Sequence, residues 1–179
     1  MFKLITKTIA AVAIVSVALF GSANAKTLKI ETHFTASSPN GEVAAQFAKN
    51  VEMFSGGSLK VQMFYSSSVT GKSAEVFNSA QTGIIDCDMT GAGYQTGKNA
   101  AFQFAGDVMG GYDNPYQQYD FLKFPGAQDA VDALYNKYGM TLIGWWIPGH
   151  ESLISSKAIP DVASIKDFKF RSPPGMESM

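Results

Sequence analysis

Cysteine is all but absent. Cys87 is the only one in 179 residues, so no disulfide can close within the chain. It sits in the apolar run IIDCDM, Ile84 to Met89, the setting of a buried structural thiol rather than a reactive one. Histidine is nearly as scarce. His33 and His150 stand far apart, with no HExxH motif and no second cysteine, so the spacing of a zinc or thiolate centre is missing. A hard cation held by oxygens leaves no such spacing and stays open. No serine lies in a GxSxG elbow. Asp86 and Asp88 stand two apart on one strand face, but carboxylates at that spacing suit solvated or capping roles better than acid–base work. No catalytic residue is assigned.

Long apolar runs are also lacking, with one exception at the start. Ile9 to Phe20 is apolar apart from Ser16. That is too short for a mature membrane span, which takes about 20 residues. Lys3 and Lys7 precede it and Ala23-Asn24-Ala25 follows, the pattern of an export signal with a small-residue cleavage site. Residues 1–25 are expected to be removed after Ala25, releasing a periplasmic or secreted protein. No cysteine stands at that junction, so a lipid anchor is not expected. Without Lys3 and Lys7, twelve basic residues face fifteen acidic ones, a net charge of about −3. A mildly acidic surface argues against nucleic acid or anionic membrane as the partner.

The remaining sequence alternates strand-like and helix-like segments. Leu28 to Phe34 reads as a strand. Ser38-Pro39 supplies a cap and first helical residue. Val43, Phe47, Val51 and Phe54 then recur at helical spacing up to Gly56-Gly57. Leu59 to Tyr65 alternates as a second strand, Ser73 to Gln81 forms a short helix, and Ile84 to Met89 is a third strand. This β-α-β-α-β order predicts an α/β fold with a parallel sheet and helices on its faces. Gly91 to Asn99 is a glycine-rich loop. Pro115 to Lys123 and Ala127 to Tyr138 read as two helices broken at Pro125-Gly126, the second with Val131, Leu134, Tyr135 and Tyr138 on one face. Met140 to Trp146 reads as a strand whose Trp145 and Trp146 point to opposite faces. Pro148-Gly149 marks a domain crossing. Ser152 to Ser155 is short and β-like, and Asp161 to Asp167 makes one turn.

Two glycine motifs imitate phosphate-binding loops and fail. Gly71-Lys72-Ser73 lies between a strand and a helix, but the glycine required five positions earlier is Ser66. Gly97-Lys98-Asn99 has Ala92 at that position and lacks the terminal Ser or Thr.

The stretch KFRSPPGM, Lys169 to Met176, is the most pointed. Phe168 and Phe170 alternate with Lys169 and Arg171, the period of a strand, and Pro173, Pro174 and Gly175 stop it. Arg171 is therefore expected near a strand end, where α/β proteins put their ligands. A planar guanidinium matches a carboxylate with two hydrogen bonds. Gly175 to Met179 reads like the start of a helix, so a longer protein is expected.

SPNGEVAAQFAKNVEMFSGGSLKVQMF, GYQTGKNAAFQF and DFKFRSPPGM together resemble the substrate-binding subunit of TRAP transporters, the DctP type. The resemblance spans Lys26 to Met179, and the GKN loop and GWW strand are similar to the branch that takes 2-oxo acids and small monocarboxylates. It implies a periplasmic-binding-protein-like architecture of two α/β domains closing at a hinge, with 26–148 as the first domain and 149–179 as the start of the second. It implies that Arg171 pairs with the substrate carboxylate. His150, 21 positions earlier, falls where the oxo-acid branch has a glutamine that also helps hold a cation. Tyr94 falls on a pocket wall. No cofactor is implied beyond a substrate-associated cation such as sodium or calcium. The partners implied are a small organic acid and the membrane permease subunits, with a homodimer open to the intact protein. The alternative is a secreted α/β hydrolase or lyase acting on a small carboxylate, and a weaker third reading is a sensor that presents ligand to a membrane receptor.

Overall fold

A computed structural model describes residues 25–106, 108, 111–147, 152–166 and 168–172. Residues 1–24 of the expected signal segment 1–25, the expected domain crossing at Pro148-Gly149, His150 and the end of KFRSPPGM lie outside the described residues. Among the described residues no helix is long and apolar enough to cross a membrane.

The sheet has three parallel strands, β1 (Lys26–Thr32), β2 (Leu59–Phe64) and β3 (Cys87–Met89), in the order β2-β1-β3. Strand β1 takes the middle because both its edges are paired, Ile30 lying opposite Met63 on one side and Cys87 on the other. Its last residues, Ile30, Glu31 and Thr32, are buried. Parallel neighbours require a crossover, and each crossover here is helical.

Helix α1 (Pro39–Phe54) makes the first crossover. The Ser38 hydroxyl accepts from the Gly41 N–H at 3.1 Å, and Pro39 occupies the first turn, where its missing N–H is not needed. A Cβ on Gly41 would overlap the Thr35 carbonyl oxygen, so glycine lets the helix start press on the preceding loop. Gly56 and Gly57, at φ of 60° and 81°, reverse the chain into β2. Glu52 ties helix to strand: its Oε1 accepts from the Val61 N–H at 2.9 Å, and its Oε2 lies 3.7 Å from Lys60 Nζ. The second crossover is a 3₁₀ turn at Ser73–Glu75 continuing into α2 (Val76–Gln81), which buries Val76 and Phe77.

Beyond β3 come two 3₁₀ turns, Ala92–Gln95 and Ala100–Gln103, and then helices α3 (Pro115–Lys123) and α4 (Pro125–Asn136). The second helix starts at Pro125 rather than at Ala127. Pro125 opens it, since proline fits a first turn and forces the preceding Phe124 into extended backbone. Buried Phe77, Ala92, Phe102, Ala105, Val131 and Leu134 form the core cluster.

Three expected strands are not formed. Residues 140–147, 152–155 and 168–172 carry no ladder hydrogen bonds. Met140, Leu142 and Trp145 do pack on the core cluster, while Ile143 is exposed. Phe168 and Phe170 do share a side, with ring centroids 6.0 Å apart. The alternation is present, but a strand also needs a neighbour for its backbone groups. Among the described residues no strand pairs with these segments. Residues 162–165 form the single turn expected, capped by Asp161, which accepts from the Ser164 N–H at 2.8 Å.

Candidate functional site

The strand order creates a reversal. From β1 the chain crosses to β2 on one side, then back past β1 to β3 on the other. The connections leaving the carboxyl ends of β1 and β3 part there, which is where open parallel sheets hold ligands. A cleft of about 950 Å³ occupies this place.

Each wall has a local cause. His33 and Phe34 follow β1 directly, and the Phe34 carbonyl is pinned by the Ser66 N–H at 3.0 Å. Tyr94 lies in the turn after β3. Its neighbour Gln95 is buried and its amide Nε2 donates to the Ala74 carbonyl at 3.4 Å, anchoring the turn while Tyr94 lines the cleft. Trp146 comes from the segment after α4, and Arg171 from the last described stretch. The rings form a chain of contacts. Phe34 lies 5.0 Å from Trp146 and 3.9 Å from His33, and His33 lies 5.3 Å from Tyr94, all measured between centroids. Trp145 packs on the core cluster and Trp146 on Phe34, and both border the cleft; no strand forms to send them to opposite faces.

The electrostatics around the ends of β1 and β3 are unusual. Glu31 is fully buried, and its Oε1 accepts from the Val69 and Thr70 N–H groups at 2.6 and 3.3 Å. The loop that ends in the false motif Gly71-Lys72-Ser73 thus cradles an internal carboxylate in place of a phosphate. Ser66 and Ser67, at φ of 57° and 50°, bend the backbone there. Asp88 lies opposite Glu31 across the β1–β3 ladder. Burial pushes its carboxyl up to about 6, the Glu31 charge adds to this, and hydrogen bonds from Thr90 oppose it. Thr90 Oγ1 donates to Asp88 Oδ1 at 2.7 Å. Asp86 instead accepts from the Lys29 N–H at 2.8 Å. Burial lowers the His33 pKa and raises that of Cys87, whose thiol is half-buried. The other false motif places Lys98 Nζ 5.6 Å over the Phe77 ring, a cation–π contact.

Of the residues expected from sequence, Tyr94 and Arg171 line the same cleft, Arg171 with its side chain exposed. His150 lies outside the described residues. His33 and Phe34 were missed as site residues. Their place at the end of the central strand was the available signal, but it counts only once the strand order is known. Among the described residues no three His, Cys, Asp or Glu side chains gather as a metal shell.

Comparison with known proteins gives a consistent picture. Residues 30–179 match the family model DctP, bacterial extracellular solute-binding protein, family 7. Among solved structures, a TRAP periplasmic solute binding protein from Rhodobacter sphaeroides, in an apo open state, superposes with a TM-score of 0.61 at 25% identity, covering 66% of this chain and 37% of that one. One from Bordetella bronchiseptica RB50, a mixed-occupancy dimer with copurified calcium and picolinate, gives 0.58 at 21% identity, covering 64% and 34%. One from Pseudoalteromonas atlantica T6c, with bound sodium and pyruvate, gives 0.59 at 19% identity, covering 65% and 35%. The match thus takes in little more than a third of these chains. No curated protein matches the sequence.

Proposed function

Since this chain belongs to family 7 of the bacterial extracellular solute-binding proteins, the DctP family, we propose that it captures a small organic acid outside the cytoplasmic membrane and delivers it to the permease subunits of a TRAP-type secondary transporter. The observation that carries this reading is Arg171 lining a cleft at the switch point of a parallel sheet. Arg171 receives the substrate carboxylate through two charged hydrogen bonds, Tyr94 walls the pocket, and His150 contributes a second polar group. Residues 26–148 make up the first domain and 149–179 begin the second, and closure between the two traps the acid. The protein acts by binding and release, not by turnover.

The signal segment is removed after Ala25 in the periplasm. The new amino group at Lys26 keeps its role, because the Lys26 nitrogen donates to the Ser58 carbonyl at 3.0 Å. Mass spectrometry of exported protein should give Lys26 as the first residue, and a retained segment would refute this. Relatives bind sodium or calcium together with their acids, and such a cation fits this reading as a companion of the substrate. The described residues offer it no preformed shell: Asp86 is engaged by the Lys29 N–H, and Asp88 is buried and held by Thr90. The dimeric relative suggests the same assembly here.

Charged hydrogen bonds contribute about 1.5–3 kcal/mol each. Arg171→Ala should therefore weaken binding of the cognate acid by roughly two to three decades or more, measured by calorimetry. Unchanged affinity would remove Arg171 from the site.

A further inference from the structure

The four rings on the cleft wall are separate from the core. Phe77, Phe102, Tyr135 and Tyr138 already form an inner aromatic cluster. His33, Phe34, Tyr94 and Trp146 make a second row, each half-buried and each lining the cleft. They come from three stretches of chain distant in sequence, yet their centroids run continuously at 5.0, 3.9 and 5.3 Å. A row of rings with one side covered and the other on a cavity offers π-faces and edges to a flat guest.

His33 adds a polar element. Its Nδ1 is buried without a hydrogen-bond partner. An orphaned N–H in such a place is rarer than an orphaned lone pair, so the proton belongs on Nε2. Burial also favours the neutral ring. Nε2 of this cleft-lining ring is then a neutral donor, suited to an uncharged acceptor rather than to a second carboxylate.

We infer that this row is the specificity-determining surface of the cleft, and that the acid it fits is a monocarboxylate carrying a flat aromatic ring with a hydrogen-bond acceptor. Arg171 takes the carboxylate, Phe34 and Trp146 contact the ring, and His33 Nε2–H donates to the acceptor. The inference rests on the solute-binding reading above and goes beyond it by naming the ligand class.

Calorimetry on the full chain tests it with matched probes. Benzoate and cyclohexanecarboxylate carry the same charge on rings of similar size, and only one ring is flat. Each aromatic contact contributes about two- to tenfold in affinity beyond buried area, so benzoate should bind roughly tenfold or more tighter. Phe34→Leu and Trp146→Leu keep an apolar side chain but remove the flat π-face, and should shrink that ratio. At least one pyridine carboxylate should bind more tightly than benzoate, and His33→Leu should remove that gain. His33→Gln places an N–H near Nε2 and should restore it. Equal binding of the flat and saturated rings, or a ratio that survives both leucine variants, overturns the inference. So does binding of pyruvate or succinate with no binding of any ring acid, which leaves the transport reading standing. Failure of every carboxylate to bind overturns both. If a variant does not fold, the wild-type ratio of benzoate to cyclohexanecarboxylate decides.

Discussion

The protein holds two aromatic clusters built from the same kinds of residue and put to different uses. In the inner one, Phe77 and Phe102 are fully buried and meet edge to face at 5.8 Å, with Tyr135 and Tyr138 closing around them. In the outer one, His33, Phe34, Tyr94 and Trp146 are half-buried along a cleft. Phe77 and Phe102 bury apolar surface on every side, and half-buried Tyr135 links them to α4 while also bordering the cleft. The outer rings bury it on one side only and leave the rest for a guest. Full burial, not residue type, therefore marks the packing rings Phe77 and Phe102. Asp88 joins the two regions: it lines the cleft, and its charge helps raise the Tyr135 pKa, after burial as the main cause.

The sharpest way to break this contrast is to remove one ring from each cluster. Phe102→Ala should destabilise the fold by about 3–5 kcal/mol, the range for a fully buried phenylalanine, measured by urea unfolding. Phe34→Ala should cost clearly less stability, because its surroundings are open on one side. Equal losses would mean that the cleft wall is core.

Asp88 gives the next effect. Its folded pKa, about 6, lies above the ordinary value of 3.8. The native state then binds more protons than the unfolded one between these values. This group's contribution is most favourable below about pH 4 and falls as pH rises to 6. A difference of that size between the folded and unfolded carboxyl corresponds to at most about 3 kcal/mol. Asp88→Asn removes the charge but keeps an acceptor for Thr90. It should raise the melting temperature over wild type at pH 7.5 and much less at pH 4.5. The same gain at both values would show that the charge does not matter. A smaller effect belongs to the rim of the inner cluster. Tyr138→Phe loses one hydrogen bond, from the hydroxyl to the Lys98 carbonyl at 3.3 Å, and should cost about 0.5–1.5 kcal/mol. A larger loss would place the Gly91–Asn99 loop within the cooperative core.

Much of the first half was legible because local signals agreed. Ser38-Pro39 and Gly56-Gly57 bound α1, and alternation marked β1 and β2 to within two residues at each end. Legibility ended where a partner was needed. Met140 to Trp146 has the composition of a strand and the packing of one, without the ladder. The third strand is half the expected length because Asp86 spends its side chain on the Lys29 N–H and only Cys87–Met89 pairs. At the site, Arg171 and Tyr94 could be named from motif and resemblance. His33 looked like an isolated histidine, because the residues that give it meaning lie 61 and 113 positions away, at Tyr94 and Trp146.

The sequence by itself determined the alternation of strands and helices, their capping, and the lack of a second cysteine to pair with Cys87 within this chain. These follow from residue types and short spacings, which act over one or two turns of chain. Only the tertiary structure decided that β1 lies in the middle, that Glu31 and Asp88 face each other across a ladder, and that four scattered rings line one cleft. Those facts depend on which segments meet, and that is settled by burial of the whole chain at once.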